Sequence, residues 1–173
     1  MTTLQQLIDT QEIERVKARY FRYMDHRQWD KFRDLFTDDL QFFIDSGREP
    51  VTTTATWTSA DDLVAYLAST PLTKITVHQG HMPDIEFTDA DHAEGVWAMF
   101  DWVDYPSRGS AFKGYGYYFE TYVRCPDGRW RISSSRLTRL RTNTVESMES
   151  VPLQFSADRG AHRPGPGEMH AAP

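Results

Sequence analysis

The chain is almost free of cysteine, since Cys125 is the only one among its 173 residues. A single thiol excludes a disulfide within the chain and any metal site built from several cysteines. No apolar run approaches the roughly 18 residues of a membrane span, and the first residues lack the basic and apolar segments of a signal peptide. We therefore expect a protein of the reducing cytoplasm.

Basic residues are in the minority, because 19 Lys and Arg stand against 25 Asp and Glu, a net charge of −6. This balance argues against nucleic acids and anionic membranes as partners, because both attract basic surfaces. Aromatic residues, by contrast, are plentiful, with 10 Phe, 8 Tyr and 5 Trp. Such a composition suits either a large core or a deep apolar pocket for a small hydrophobic molecule.

The first part of the chain has the pattern of helices. Ile13, Val16 and Tyr20 recur at helical spacing, with charged residues on the opposite side. Ser59 has the character of a capping residue, and Asp62 stands at the third helical position after it. We expect helices at residues 4–24, 27–36 and 59–68 and a short strand at residues 40–45.

The second part of the chain has the pattern of strands separated by turns. We expect strands at residues 74–81, 84–89, 92–105, 111–124 and 129–141. Apolar residues on both faces of the last three predict a sheet that is covered on both sides, by helices on one face and by a second subunit on the other. The sequence therefore predicts a homodimer or homotrimer, and a tail at residues 142–173 that is extended or partly disordered, with Val151, Leu153 and Phe155 as possible tethers.

Helices followed by long antiparallel strands indicate an α+β protein. Two segments, 13–25 and 29–39, together with 77–80 and 127–132, resemble the nuclear transport factor 2-like superfamily. Within it, the chain resembles SnoaL-like and scytalone dehydratase-like proteins. The resemblance implies a cone-shaped α+β barrel in one domain at residues 1–141, with three N-terminal helices packed on a strongly curved, mainly antiparallel sheet.

The resemblance also implies candidate catalytic residues. Family members that eliminate water or chloride share an aspartate at the end of the first helix and a histidine in the first long strand, which Asp25 and His78 match. Bile-acid dehydratase-like members add a tyrosine and a second aspartate, which Tyr20 and Asp101 match. The histidine that scytalone dehydratase carries near the Asp101 position has no counterpart here.

The residue types by themselves favour a proton-transfer site but do not show which residues form it. A carboxylate paired with an imidazole moves protons and needs neither a metal nor a cofactor. Asp25 stands at a helix C-terminus, where the helix dipole disfavours an anion by about 0.3–1 kcal/mol, so it needs a partner or a turn-forming role. Strand alternation puts His78 on the same face as Thr76, while His26 and His81 compete for its role.

The other candidates have a structural and a functional interpretation each. Asp101, in mid-strand among aromatic residues, is either solvent-facing or a pocket residue kept protonated by apolar surroundings. Tyr20 is either a core tyrosine or a donor to a substrate carbonyl. We expect the substrate-binding residues to be Tyr23, Trp97, Met99, Tyr115 and Tyr117.

These observations predict a cofactor-independent lyase, a dehydratase of cyclic or polycyclic hydroxy-carbonyl compounds. His78 would be the general base and Asp25 would orient it. Isomerisation of the ketosteroid isomerase type and polyketide cyclisation begin in the same way and stay open. So does a non-catalytic ligand-binding role, such as that of an oxygenase accessory subunit. The sequence offers no convincing metal triad, phosphate loop or serine hydrolase motif.

Overall fold

The computed structural model describes residues 3–45 and 52–147. Its elements in chain order are α1 (Leu4–Asp25), α2 (Trp29–Arg33), β1 (Phe36–Asp45), β2 (Thr53–Trp57), α3 (Ala60–Ala68), β3 (Ile75–Phe87), β4 (His92–Tyr105), β5 (Ser110–Arg124) and β6 (Trp130–Glu146). A short 3₁₀ turn at Pro106–Arg108 links β4 to β5. No helix in these two ranges has the length and hydropathy of a membrane span.

The six strands form one mixed sheet in the order β2-β1-β6-β5-β4-β3. The β1–β6 pair is parallel, and every other neighbouring pair is antiparallel. The three helices pack on the sheet, α1 mainly against β3 and β6 and α3 against β1 and β2. The predicted α+β architecture is confirmed, and the curved sheet remains open, with β2 and β3 as its edges.

Local capping signals explain where two of the helices begin. Thr3 accepts a hydrogen bond from the Gln6 amide at 3.1 Å, and the Gln6 side chain accepts one from the Thr3 amide at 2.9 Å, a reciprocal capping box. Ser59 caps α3 by accepting from the Asp62 amide at 3.4 Å, as predicted. The second helix is shorter than expected, because residue 36 already belongs to β1.

The strand predictions need two corrections. The strands predicted at residues 74–81 and 84–89 form one strand, β3, since both halves pair with β4 across a register shift between His81 and Asp84. Met82 lies in that bulge with a φ of 46°. The strand predicted at residues 129–141 is longer than expected, because β6 pairs with β5 as far as Glu146. Residue 141, the predicted end of the domain, lies within this strand. The predicted tethers of the tail lie outside the described residues.

The two faces of the sheet differ in their environment. The inner face and the helices enclose an aromatic-rich core that includes Phe32, Phe36 and Tyr118. The outer face carries large side chains that are about two-fifths exposed, which we call the outer aromatic face: Trp102 (40%), Tyr115 (38%), Tyr117 (39%) and Phe119 (45%). Alternation along β5 explains this division, because Tyr118 points inward between Tyr117 and Phe119.

A buried ion pair joins α1 to the middle of the sheet. Lys17 and Glu120 are both inaccessible to solvent, and Lys17 Nζ lies 2.7 Å from Glu120 Oε1. Ser135 Oγ donates to the same carboxylate oxygen at 2.9 Å, and the Tyr122 hydroxyl donates to the other. The carboxylate is therefore saturated by three donors, which is the condition under which a buried charge is tolerated.

The Lys17 ammonium also lies over aromatic rings. Its Nζ is 3.5 Å from the ring centroid of Tyr118 and 4.2 Å from that of Tyr20. Such cation–π contacts stabilise the ammonium where water cannot reach it. Burial lowers the pKa of the Lys17 ammonium to about 8, although the Glu120 carboxylate acts in the opposite direction.

Replacing Lys17 by methionine should lower the free energy of unfolding by about 3–5 kcal/mol, because Glu120 would remain as a buried carboxylate without its cation. The double variant K17M/E120Q should recover part of that loss, since neither charge is then left alone. Urea unfolding at pH 7, followed by circular dichroism, measures both. K31M, at an exposed position of α2, is the control. An equal loss in the single and double variants would contradict the prediction.

Candidate active site

Asp25 and His78, 53 residues apart in sequence, are in direct contact. Asp25 Oδ1 lies 2.6 Å from His78 Nδ1, and Asp25 Oδ2 accepts the backbone amide of His78 at 2.9 Å. Thr76 Oγ1 donates to Asp25 Oδ1 at 2.8 Å. These three bonds explain how a carboxylate is kept at the C-terminus of α1, where the helix dipole alone would disfavour it.

The contact with Asp25 also sets the orientation of the His78 ring. An ionised carboxylate only accepts hydrogen bonds, so the neutral imidazole donates through Nδ1 and carries its lone pair on Nε2. The His78 side chain is 11% exposed and lines a pocket. The arrangement is that of a positioned general base.

The other histidines do not share this setting. His26 forms the C-cap of α1, and its side chain is exposed, as is that of His81. His92 contacts Asp89 at 2.9 Å, but both side chains are more than half exposed on a hairpin. A histidine close to an aspartate is thus not by itself evidence of a catalytic site. The Asp25–His78 pair differs from the His92–Asp89 pair because His78 lines a pocket. Within the described ranges, no group of three or more His, Cys, Asp or Glu residues could hold a metal ion.

The pocket beside His78 is a cavity of about 230 Å³ enclosed by the end of α1, by α3 and by the inner face of the sheet. Its wall is mostly apolar and aromatic. The apolar lining residues are Met24, Trp29, Phe42, Ile44, Trp57, Leu63, Leu67, Val103, Phe112 and Leu137. A wall of this kind binds a hydrophobic ring system by area and leaves orientation to a few polar groups.

Tyr20 is one of those polar groups. It is 1% exposed and lines the pocket together with Tyr118. Burial raises the pKa of the Tyr20 phenol well above its usual value, and the nearby Tyr118 and Glu120 add to the shift. The hydroxyl therefore remains protonated at neutral pH and can act as a hydrogen-bond donor.

Asp101 has a partner that the sequence did not reveal. It is fully buried and forms an ion pair with Arg139 on β6, and Arg139 lines the pocket. The predicted role of Asp101 as a protonated acid that donates to a leaving group finds no support in this contact, because the carboxylate acts as an acceptor from a guanidinium. Gly114, opposite Asp101 on β5, leaves the space that the ion pair occupies.

None of the five predicted substrate-binding residues lines the pocket. Tyr115 and Tyr117 lie on the outer aromatic face, because alternation places them opposite the pocket-lining Tyr118. Trp97 and Met99 do point inward but belong to the packed core, where Trp97 Nε1 donates to the Tyr122 hydroxyl at 2.9 Å.

Tyr23 lies away from the pocket as well. It is half-buried, with its ring between the side chains of Arg22 and Lys31, at 5.1 Å and 5.9 Å from the centroid. Tyr23 follows Tyr20 by three residues on α1 and so lies near the apolar side of the helix, but at its margin and not over the pocket.

Sequence reasoning missed three cationic residues of the pocket wall: Arg27, Lys74 and Arg139. For Lys74 a signal was present, because it alternates with Thr76 and His78 and so shares their face of the strand. Arg139 likewise alternates with the inward-facing Leu137. Arg27 offered no such pattern, since it lies in the turn after α1 with a φ of 53°.

The sequence matches the model of the SnoaL-like domain family over residues 5–136, which is most of the chain. The chain belongs to the SnoaL-like family. This SnoaL-like protein is also 28% identical over 134 residues to a probable cyclase, FGR4, of Gibberella zeae, with 74% of the chain and 89% of that protein covered.

Solved structures show the same fold. A hexachlorocyclohexane dehydrochlorinase (LinA, type 2) superposes with a TM-score of 0.73 at 17% identity, covering 87% of this chain and 98% of that one. A putative scytalone dehydratase from Novosphingobium aromaticivorans gives 0.70 at 18% identity, with 87% and 100% covered. These matches show a shared fold, and the family match confirms the SnoaL-like resemblance that the sequence implied.

Replacing Gly114 by alanine should disturb the Asp101–Arg139 pair, because the new Cβ would lie 2.0 Å from Asp101 Oδ1 and 2.8 Å from Arg139 Nε. We expect a loss of about 1–3 kcal/mol in the free energy of unfolding, as for an overpacked core. In the D101A background the same change should cost much less, because the clashing oxygen is gone. Denaturant unfolding of the four proteins forms a double-mutant cycle, and additive losses would contradict the steric explanation.

Proposed function

We propose that this SnoaL-like protein is a cofactor-independent carbon–oxygen lyase that removes water from a cyclic or polycyclic hydroxy-carbonyl compound. The observation that carries the proposal is the Asp25–His78 contact at the wall of a largely apolar pocket. The proteins that it resembles, a probable cyclase, a dehydrochlorinase and a putative scytalone dehydratase, support a reaction of this general type.

In the proposed mechanism, His78 Nε2 removes a proton from the carbon next to the substrate carbonyl. Asp25 holds the ring through Nδ1 and stabilises the imidazolium that forms, and a general base of this kind contributes about 10²–10⁴-fold. Tyr20 donates a hydrogen bond to the carbonyl oxygen as negative charge develops there.

The elimination is then completed within the same pocket. The electrons of the broken C–H bond form the C=C bond, the bond to the β-hydroxyl breaks, and the imidazolium returns the proton to the departing oxygen as water. His78 thus takes the role of acid as well as base, which Asp101 cannot fill while it accepts from Arg139.

Two alternatives share part of this chemistry. An isomerase or cyclase would use the same first proton abstraction and differ only in what the substrate does next. A non-catalytic binding protein would need the pocket but not the contact between Asp25 and His78. The hydrogen-bonded geometry of that contact supports an enzyme over the binding protein.

A direct test uses 3-hydroxy-1-tetralone, a bicyclic β-hydroxy ketone, as substrate. Elimination of water gives 1-naphthol after tautomerisation, which fluorescence detects. We expect turnover by the wild type and a loss of about 10²–10⁴-fold in kcat for His78→Ala, because the general base is removed. Asp25→Asn should lose most of the rate and keep the fold, since the amide can replace several of the hydrogen bonds but not the charge.

His81→Ala is the matched control, because it removes an exposed histidine from the same strand. Deuterium incorporation next to the carbonyl in D₂O, without 1-naphthol, would indicate the isomerase or cyclase alternative. Full turnover by His78→Ala would exclude the proposed mechanism.

We also propose that the outer aromatic face mediates assembly into a homodimer or homotrimer. A contiguous aromatic surface on one side of a sheet is typical of an interface. The exposure of Tyr117 and Phe119, at 39% and 45%, supports this assignment.

The double variant Tyr117→Glu/Phe119→Glu should therefore shift the protein toward monomer, because charged side chains cannot be buried unpaired in the interface. Sedimentation velocity at micromolar concentration measures the change. Leu4→Glu, at an exposed position of α1, is the control. A wild type that sediments only as monomer would argue against the assembly.

A further inference from the structure

Lys74 is a cation of the pocket wall for which the described part of the chain provides no carboxylate partner. It is half-buried just before β3, on the same strand face as His78, and lines the pocket. No ion pair or hydrogen bond of its ammonium is found within residues 3–45 and 52–147, and its Nζ lies 5.8 Å from the ring centroid of Tyr105.

The local field makes this position costly for a positive charge. Burial lowers the pKa of the Lys74 ammonium, and the nearby Arg27 and Arg139 guanidinium groups lower it further, while Asp101 opposes them. Arg139 is already neutralised by Asp101, so this carboxylate is shared and does not compensate Lys74 fully. Among residues 3–45 and 52–147, no aspartate or glutamate lines the pocket.

Arg27 fixes the segment that carries Lys74. Its guanidinium donates to the backbone carbonyls of Thr70 at 3.3 Å, Pro71 at 2.6 Å and Lys74 at 2.9 Å. These bonds anchor the chain between α3 and β3 on the end of α1. They also occupy three of the five Arg27 N–H donors with protein carbonyls. The Lys74 ammonium has no hydrogen bond within the described residues, so all three of its donors are open to a ligand.

We propose that Lys74 binds a carboxylate carried by the substrate, at a distance from the reacting carbon, and that Arg27 is a positioning residue for it. The substrate class is then a cyclic hydroxy-carbonyl compound with an anionic substituent. An incoming carboxylate would supply the missing counter-charge in an environment of low polarity, where charge-assisted hydrogen bonds are strong.

The position of Lys74 along the strand separates this role from stabilisation of the enolate. Lys74 and His78 are four residues apart, which in an extended strand is about 13 Å between Cα atoms. The carbonyl that is activated must lie within reach of His78, where Tyr20 already provides a donor. Lys74 therefore determines specificity and does not take part in the proton transfer.

Calorimetric titration with 2-naphthoate and with its neutral analogue 2-naphthamide tests the proposal without turnover. We expect the wild type to bind naphthoate at least about tenfold more tightly, the effect of one charge-assisted hydrogen bond. Lys74→Met should abolish this preference with naphthamide affinity unchanged, and Lys74→Arg should keep it. Lys31→Met, an exposed lysine outside the pocket, should behave as wild type. Thermal unfolding of each variant confirms that it is folded.

The inference takes its substrate class from the proposed function, but the role of Lys74 and the dehydratase activity are contradicted by different results. Equal affinity of the wild type for both probes, no naphthoate binding at millimolar concentration, or a preference that survives in Lys74→Met overturns the role of Lys74, whatever the tetralone assay shows. A Lys74-dependent preference for naphthoate without any turnover of 3-hydroxy-1-tetralone supports the anion site and counts against the dehydratase.

Discussion

The hydrogen bonds of the Asp25 carboxylate are the constraint on which the site depends. A carboxylate at the end of a helix is opposed by the helix dipole, and here it is compensated by donors from one neighbouring strand, the Thr76 hydroxyl and the His78 amide and ring. The same bonds hold α1 against β3 and fix the tautomer of His78. Two residues after Asp25, Arg27 lies in the turn that follows α1, and its guanidinium anchors the segment before β3. The short segment from Asp25 to Arg27 thus orients the His78 imidazole, contributes to the pocket wall and fixes the position at which β3 begins.

Charges buried beside the pocket are the second constraint. Glu120 is saturated by Lys17 and two hydroxyl groups, whereas Asp101 has Arg139 and one oxygen atom without a partner in the described structure. The first arrangement is a fully buried ion pair that does not itself line the cavity, although the Lys17 ammonium lies over the rings of Tyr20 and Tyr118, which do. The second is incomplete and adjoins the cavity through the arginine. A protein interior tolerates unsatisfied polar atoms mainly where function requires them, which is consistent with the position of Arg139 in the pocket wall.

Membership of the SnoaL-like family determines the fold, whereas the reaction depends on the side chains that line the pocket. The solved relatives share the fold at 17–18% identity, and a fold of this kind can host different chemistries. In this chain, charged and titratable groups are distributed around an apolar cavity, with an imidazole–carboxylate pair at one place and Lys74 and Arg139 elsewhere on the wall. The proposed proton transfer and substrate binding share the inner face of the sheet, and the proposed assembly uses its outer face, since alternation along a strand separates the two faces.

The sequence by itself determined the elements whose signals are local. The helical period around Ile13, the cap at Ser59 and the turn-bounded strands predict most of the secondary structure, because these patterns depend on near neighbours. The family resemblance added the pairing of Asp25 with His78, which helical geometry alone did not show. Only the tertiary structure decided which alternate residues of β5 face the helices, since alternation is the same for either choice. It places Tyr115 and Tyr117, which the sequence predicts to bind substrate, on the outer face and away from the pocket. The tertiary structure also decided the Asp101–Arg139 contact and joined two predicted strands into β3. Neither could be predicted, because the pairing of distant segments produces no pattern in the sequence of either segment.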